Sequence, residues 1–236
     1  MKLIFAGPTL RAQGFAPSEE YRLCPPARQG DIYRAVEDGA NVIGLIDGVY
    51  EHVPAIWHKE ILYGLSKGVH MLGAASMGAL RAAECRAFGM VGIGEVYEGY
   101  ASGLLEDDAD VAQSHAPAEM GFLPLSEPLV NVRATISRCL TLSLVSRDEH
   151  DRLQLAAGAL FFKERTYRRL VASCIANDER ALSIPDILRS NAIDLKLQDA
   201  RLLVEAVLSM PNRRFTPRSD WSFEATHFWN ALFSPG

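Results

Sequence analysis

The sequence predicts an α/β fold: an open parallel sheet of Rossmann or flavodoxin type in the N-terminal half, with a mainly helical C-terminal half packed on it. Three features lead there. Over the first 115 residues, short apolar runs alternate with stretches of helical spacing, the pattern of a parallel sheet. Val42-Ile43-Gly44-Leu45-Ile46 is continuously apolar, as a strand covered on both faces must be. From about Glu127 onward apolar residues recur at helical spacing and strand signals are few. With 236 residues, 48% of them hydrophobic and 22% charged, the chain can bury a substantial core. We expect an α/β core over 1–126 and a helical subdomain over 127–236, with no internal repeat or low-complexity linker.

The elements follow in order. Leu3-Ile4-Phe5-Ala6 reads as the first strand, ending in Gly7-Pro8-Thr9, and Tyr21-Arg22-Leu23-Cys24 as a weaker second, stopped by Pro25-Pro26. Asp31 is placed to cap a helix from Ile32 to Asp38, closed by Gly39. The third strand, Val42 to Ile46, stops at Asp47-Gly48. A helix starting at Pro54 carries Trp57, Ile61 and Leu65 on one face and closes at Gly68. The fourth strand, Val69 to Gly73, runs through Ala74-Ala75-Ser76 into a helix ending at Gly89, and Asp110 to His115 reads as a further strand. Beyond it, Leu129, Val132, Ile136 and Leu140 share a helical face and Leu153 to Ile175 is one amphipathic stretch. Helices also fit Pro185 to Ser190, Asp194 to Ser209 and Asp220 to Phe233.

Charge and composition narrow the function. There are 24 Lys and Arg against 29 Asp and Glu, a formal net charge of −5, and no basic block that could neutralise a run of phosphates. Nucleic acid and anionic membrane are therefore not expected as partners. No stretch approaches the ~18 apolar residues that cross a bilayer, and Gly7-Pro8 cuts the opening apolar run before a signal-peptide core forms, so a cytoplasmic location is expected. Cys24, Cys85, Cys139 and Cys174 are scattered, with no CxxC and no His at ligand spacing, which suits reduced thiols rather than disulfides or zinc. Glu106-Asp107-Asp108 with Asp110 reads as a solvated loop before a cation site. No GxxxxGK[ST] is present and Gly92-Ile93-Gly94 lacks the third glycine of a dinucleotide fingerprint, so neither a cofactor nor a metal is expected.

Ligands of open parallel sheets bind beyond the carboxyl ends of the strands. The residues there are Thr9, Asp47, Ser76 and, if the last strand forms, His115. In Ala74-Ala75-Ser76-Met77-Gly78 a hydroxyl sits at a strand-to-helix turn between small residues, the layout of a nucleophile elbow. The Met77 backbone N–H would face an oxyanion. The same residues also suit a plain serine N-cap with close helix–strand packing. A nucleophilic serine needs a base and the base an orienting group. His115 with Asp47 could supply both; His58, on a helix, is the rival base. Asp47-Gly48 could equally be a simple turn. Two charges fall in apolar helical faces: Glu84 beside Met77, Leu80, Ala87 and Phe88, and Arg133 beside Leu129, Val132, Ile136 and Leu140. Each should be paired, with Arg81 the local partner of Glu84 or a Glu84–Arg133 pair joining the two halves.

Several of these residues also carry a family resemblance. Gly7-Pro8-Thr9, Gly30-Asp31-Ile32, Ile46-Asp47-Gly48-Val49, Trp57-His58-Lys59-Glu60-Ile61 and the run from Gly73 to Glu84 through Ser76-Met77-Gly78 occur in this order. With Asp107-Asp108, His115, Glu119 and Ser126 to Arg133, they make residues 1 to 135 similar to the TfuA-like core domain. That family is found beside YcaO-type cyclodehydratases that install backbone thioamides in ribosomally made peptides. The resemblance implies a protein that engages a ubiquitin-like sulfur carrier ending in a thiocarboxylate, releases its sulfur and assists the ATP-using YcaO partner, with the precursor peptide as a further partner. Ser76, His115 and Asp47, read from their places at the strand ends, are the expected catalytic residues, and Gly7, Thr9, His58, Met77, Gly78, Arg81, Glu84 and Arg133 are expected around the substrate. Two roles stay open: a serine-dependent thiocarboxylate hydrolase, or a non-catalytic adaptor that recruits carrier or peptide to YcaO.

Overall fold

The computed structural model describes residues 1–10, 18–49 and 53–233. Five strands, β1 (Lys2–Phe5), β2 (Arg22–Cys24), β3 (Val42–Leu45), β4 (His70–Ala74) and β5 (Val91–Ile93), form one all-parallel sheet in the order β2-β1-β3-β4-β5. The helices are α1 (Asp31–Glu37), α2 (His58–Ser66), α3 (Met77–Cys85), α4 (Glu95–Ser102), α5 (Leu129–Thr141), α6 (Arg147–Ala159), α7 (Tyr167–Cys174), α8 (Asp178–Ser190), α9 (Leu195–Ser209) and α10 (His227–Phe233). The α/β class is as the sequence predicts. By its internal contacts the chain groups into two compact units, 1–104 with 198–236, and 105–197, a division that differs from a cut at 126/127.

In the first unit Leu3, Phe5, Ile43, Leu45 and Met71 of the sheet share a core with Ile32 and Val36 of α1 and Ile61 and Leu65 of α2. Burial of each such aliphatic side chain contributes about 1.5–3 kcal/mol. On the other face Gly44 lets α9 close in: a Cβ there would stand 2.7 Å from Leu203 Cδ2 and 2.9 Å from Val207 Cγ2. Strand β2 is short and its Arg22 and Leu23 are exposed, which is why its signal is weak. The fifth strand is β5, not Asp110 to His115. Asp107 instead caps a 3-10 turn at Asp108–Asp110 by accepting the Ala109 N–H, and His115 makes only an isolated antiparallel bridge to Pro124. The segment from Asp220 is helical only over α10, whose Trp229 is buried among Tyr33, Trp57, Tyr63, Phe223 and Phe233.

Helix capping differs from the expected pattern in an informative way. Asp31 is the first residue of α1, its N-cap is Gly30, and no side chain at the cap bonds the helix. Glu60 of α2 does so instead, accepting the N–H groups of Gly30 (2.9 Å) and Tyr33 (3.2 Å). Asp199 of α9 likewise accepts from Glu95 (3.0 Å) and Val96 (2.8 Å) at the start of α4. Burial pushes both carboxyls above the usual range, opposed by these backbone donors. Helix α2 itself starts at His58, four residues after Pro54.

The second unit is helical. Leu129, Val132, Ile136 and Cys139 of α5 meet Leu153 of α6, Leu170 of α7 and Ile184 and Leu188 of α8. The stretch from Leu153 to Ile175 is two helices, because α6 ends at Ala159 and Thr166 caps a new one by accepting the Arg169 N–H. Helix α8 starts at Asp178 on an Asn177 cap and contains Pro185 rather than beginning there. Arg165 is buried and donates to the carbonyls of Ala157, Leu160, Ala109 and Glu127. Glu149 takes Arg180 in two bonds, 2.6 Å to Nε and 2.9 Å to Nη2, which hold its carboxyl down at about 2. A depressed carboxyl stabilises the fold above its unfolded value and loses that contribution as pH falls toward the folded one. Denaturant unfolding should therefore show about 2 kcal/mol lost between pH 5 and pH 2, allowing for solvent at Arg180. Glu149→Gln should remove this component.

Candidate functional site

Ser76 follows the carboxyl end of β4, and the start of its helix lies against the end of β3. Ser76 is the N-cap of α3, reached through a tight turn in which Ala75 has φ +68° and the Ser76 N–H donates to the Ala74 carbonyl at 2.7 Å. A non-glycine residue in the left-handed region is a strained position of the kind that gathers at functional turns. Gly78 permits the approach of α3 to β3: its N–H donates to the Ile46 carbonyl at 3.0 Å, and a Cβ would lie 1.8 Å from the Leu45 oxygen. Gly78→Ala should thus cost about 1–3 kcal/mol or more in urea unfolding, since a backbone atom must move. The Ser76 side chain makes no capping hydrogen bond, and among the described residues nothing accepts the Met77 N–H. Ser76 keeps only 8% of its surface, so the hydroxyl is recessed and not, as the elbow pattern suggests, openly exposed.

Asp47, Gly7 and Thr9 come together, in a different relation from the one expected. Asp47 is buried; its Oδ2 accepts the N–H of Gly7 (2.8 Å) and Thr9 (3.0 Å), and its Oδ1 accepts the Thr9 hydroxyl (2.6 Å). Both carboxylate oxygens are thus spent on the loop after β1. Backbone bonds from Ala27 to the Asp47 carbonyl and from Val49 to the Ala27 carbonyl add the loop after β2 to the same floor. Met77 packs over Gly48, where a Cβ would stand 2.9 Å from its Cγ.

Further along α3 lies a charged group. His58 Nε2 is 2.8 Å from Glu84 Oε2 and 3.1 Å from Arg81 Nη1, and Arg81 Nη1 also donates to Glu84 Oε2. Glu84 has 36% of its side chain exposed, so it is not a charge in a core face; Arg81, at 12%, is the more buried partner, with its Nε unbonded. Burial pushes the Glu84 carboxyl up, but the hydrogen bonds from His58 and Arg81 outweigh it and hold it below the usual range. The partners of Glu84 are therefore local, in place of a Glu84–Arg133 pair. The Arg81–Glu84 pair is legible in the sequence from its i,i+3 spacing, but that His58 joins it is not: 26 positions separate His58 from Glu84.

His115 and Arg133 belong to the second unit. His115 sits on an irregular hairpin, its Nδ1 2.9 Å from the Ala116 carbonyl and its ring edge-on to Phe122. Arg133 is half-buried on α5 beside Gly158, and its carbonyl accepts from Gln154. Among the described residues no cluster of three or more His, Cys, Asp or Glu could hold a metal, and no helix is long and apolar enough to cross a membrane.

Fold and site together define an α/β protein of doubly wound type with a serine at a strand-to-helix turn. The profile of one family, described as TfuA-like protein, matches residues 47–166, just over half of the chain. The chain belongs to the TfuA-like family. No curated protein matches it. The matched segment contains Asp47, His58, Ser76, Arg81, Glu84, His115 and Arg133.

Proposed function

We propose that this protein supplies sulfur for peptide backbone thioamidation in the cytoplasm, hydrolysing the terminal thiocarboxylate of a ubiquitin-like carrier on behalf of a YcaO-type cyclodehydratase. Family membership supports the association; the reaction rests on Ser76, an uncapped hydroxyl at a helix N-terminus next to the free Met77 N–H. The Ser76 oxygen attacks the acyl carbon, the hydroxyl proton passes to sulfur, and the C–S bond breaks to release hydrosulfide and leave an acyl-serine ester. Water then cleaves the ester, restoring the hydroxyl and leaving a carboxylate and a proton. Met77 N–H and the α3 terminus stabilise the oxyanion in both steps.

The recessed position of Ser76 favours a second reading, an adaptor that recruits carrier or precursor peptide while YcaO does the chemistry. The two separate in a mixture of purified protein and thiocarboxylated carrier without YcaO. Catalytic release of sulfide supports hydrolysis. An intact thiocarboxylate, with the protein still required once YcaO is added, supports the adaptor.

A further inference from the structure

We infer that the hairpin between Ser114 and Ser126 is a protein-docking surface, and that it holds the folded body of the sulfur carrier through an apolar patch ringed by lysine and arginine. The inference rests on the carrier named in the proposed function and adds where this chain grips it. It starts from an inverted distribution of side chains in the second unit. Arg165 and Lys196 are buried, whereas Met120 (59%), Leu123 (54%) and Leu125 (61%) keep more than half of their surface. Folded chains ordinarily do the reverse, and apolar groups gathered on a surface mark a place where another molecule sits.

The buried cations fasten the roots of the hairpin. Arg165 Nη1 donates to the carbonyls of Ala109 and Glu127, 3.5 Å each, and so draws the acidic turn at Asp108–Asp110 and the far end of the hairpin to one guanidinium. Lys196 Nζ donates to the Val111 carbonyl at 3.0 Å. Between the arms, the Ala116 N–H donates to the Leu123 carbonyl and the Leu125 N–H to the Ser114 carbonyl, while the Ser126 hydroxyl accepts the Ser114 N–H. At the tip Gly121 and Phe122 follow one another with φ +67° and +54°, a conformation rarely taken by a bulky side chain. Leu123 and Leu125 flank Pro124, the residue bridged to His115. A loop pinned in this way presents its apolar side chains with little ordering left to be done on binding.

Charge selects the partner. From 105 to 127 the chain has Glu106, Asp107, Asp108, Asp110, Glu119 and Glu127 and no Lys or Arg, more than the whole net charge of −5. A second copy of this chain would set like charge against like, and nucleic acid or anionic lipid would be repelled. The surface that fits offers apolar side chains to Met120, Leu123 and Leu125 and basic ones around them. In the proposed reaction the carrier is the partner this protein must hold unaided. A thiocarboxylate at a chain end offers Ser76 few atoms, so the affinity comes from parts of the carrier remote from the reacting bond.

The test titrates carrier bearing an ordinary C-terminal carboxylate, which is not consumed, into wild type, Leu123→Ser/Leu125→Ser and Glu106→Lys/Glu119→Lys, each shown to be folded by a thermal melt. The leucine variant should bind about tenfold or more weakly and the charge variant about threefold to tenfold, and wild-type affinity should fall as salt is added. With thiocarboxylated carrier the leucine variant should raise KM and leave kcat unchanged, the mark of lost binding away from the chemistry. The inference is overturned if wild type does not bind carrier, if both variants bind it as wild type does, or if they lose only YcaO binding. A wild-type dimer that the leucine variant dissolves, with carrier binding intact, overturns it too. Sulfide release judges the hydrolase reading separately: wild type that binds carrier through the hairpin but releases no sulfide retains the docking surface and loses the hydrolase, and variants that release sulfide with wild-type KM do the opposite.

Discussion

Ser76→Ala is expected to fold as wild type does and to lose sulfide release from thiocarboxylated carrier by about 10³-fold or more, some 4 kcal/mol of transition-state stabilisation. The two halves of this expectation have separate grounds. Replacing a serine N-cap by alanine ordinarily costs ~1 kcal/mol because an orphan N–H loses its acceptor. Here the Ser76 hydroxyl caps nothing, so urea unfolding should be nearly unchanged. The activity loss follows from removing the atom that forms the ester. A variant that is destabilised yet turns over normally would mark Ser76 as a structural cap.

Asp47→Ala should have the largest effect on stability. It strips the acceptor from the Gly7 N–H, the Thr9 N–H and the Thr9 hydroxyl, all three in bonds that are buried. At about 1–3 kcal/mol for each buried donor left unpaired, partly relieved by loop movement, the expected loss is about 3–5 kcal/mol in denaturant unfolding. Asp47→Asn keeps one carbonyl oxygen and should fall between wild type and alanine. If Asp47→Ala instead leaves the unfolding midpoint in place and lowers only the rate, its carboxylate serves the chemistry rather than the loop.

What the sequence reveals and conceals can be traced to particular residues. Strands β1, β3 and β4 are legible because every position, or all but one, is buried and the runs are apolar apart from Lys2 at the start of β1 and His70 at the start of β4. Strand β5 is not, since Val91-Gly92-Ile93 is three residues long, preceded by Gly89-Met90 and followed by Gly94, and Gly92 is needed where the Tyr97 ring fills the space of a Cβ. Val111 and Ala112 resemble a strand because they are buried, but in a loop. The caps of α1 and α4 come from Glu60 and Asp199, 30 and 104 positions from the N–H groups they accept, beyond any local pattern. The candidate site shows the same division. Ser76, Asp47 and His58 are visible as chemistry at strand and helix ends. Which carboxylate serves which partner depends on how α2 and α3 pack, and that is written in no single segment.

Labelling by a fluorophosphonate tests the central claim, that the β4–α3 turn makes Ser76 a nucleophile, without a carrier or a partner. Folded protein should take up one label, located to Ser76 by peptide mass spectrometry, while Ser76→Ala and urea-unfolded protein should take up none. Folded wild-type protein that stays unlabelled, or is labelled on another residue with Ser76 untouched, would contradict it.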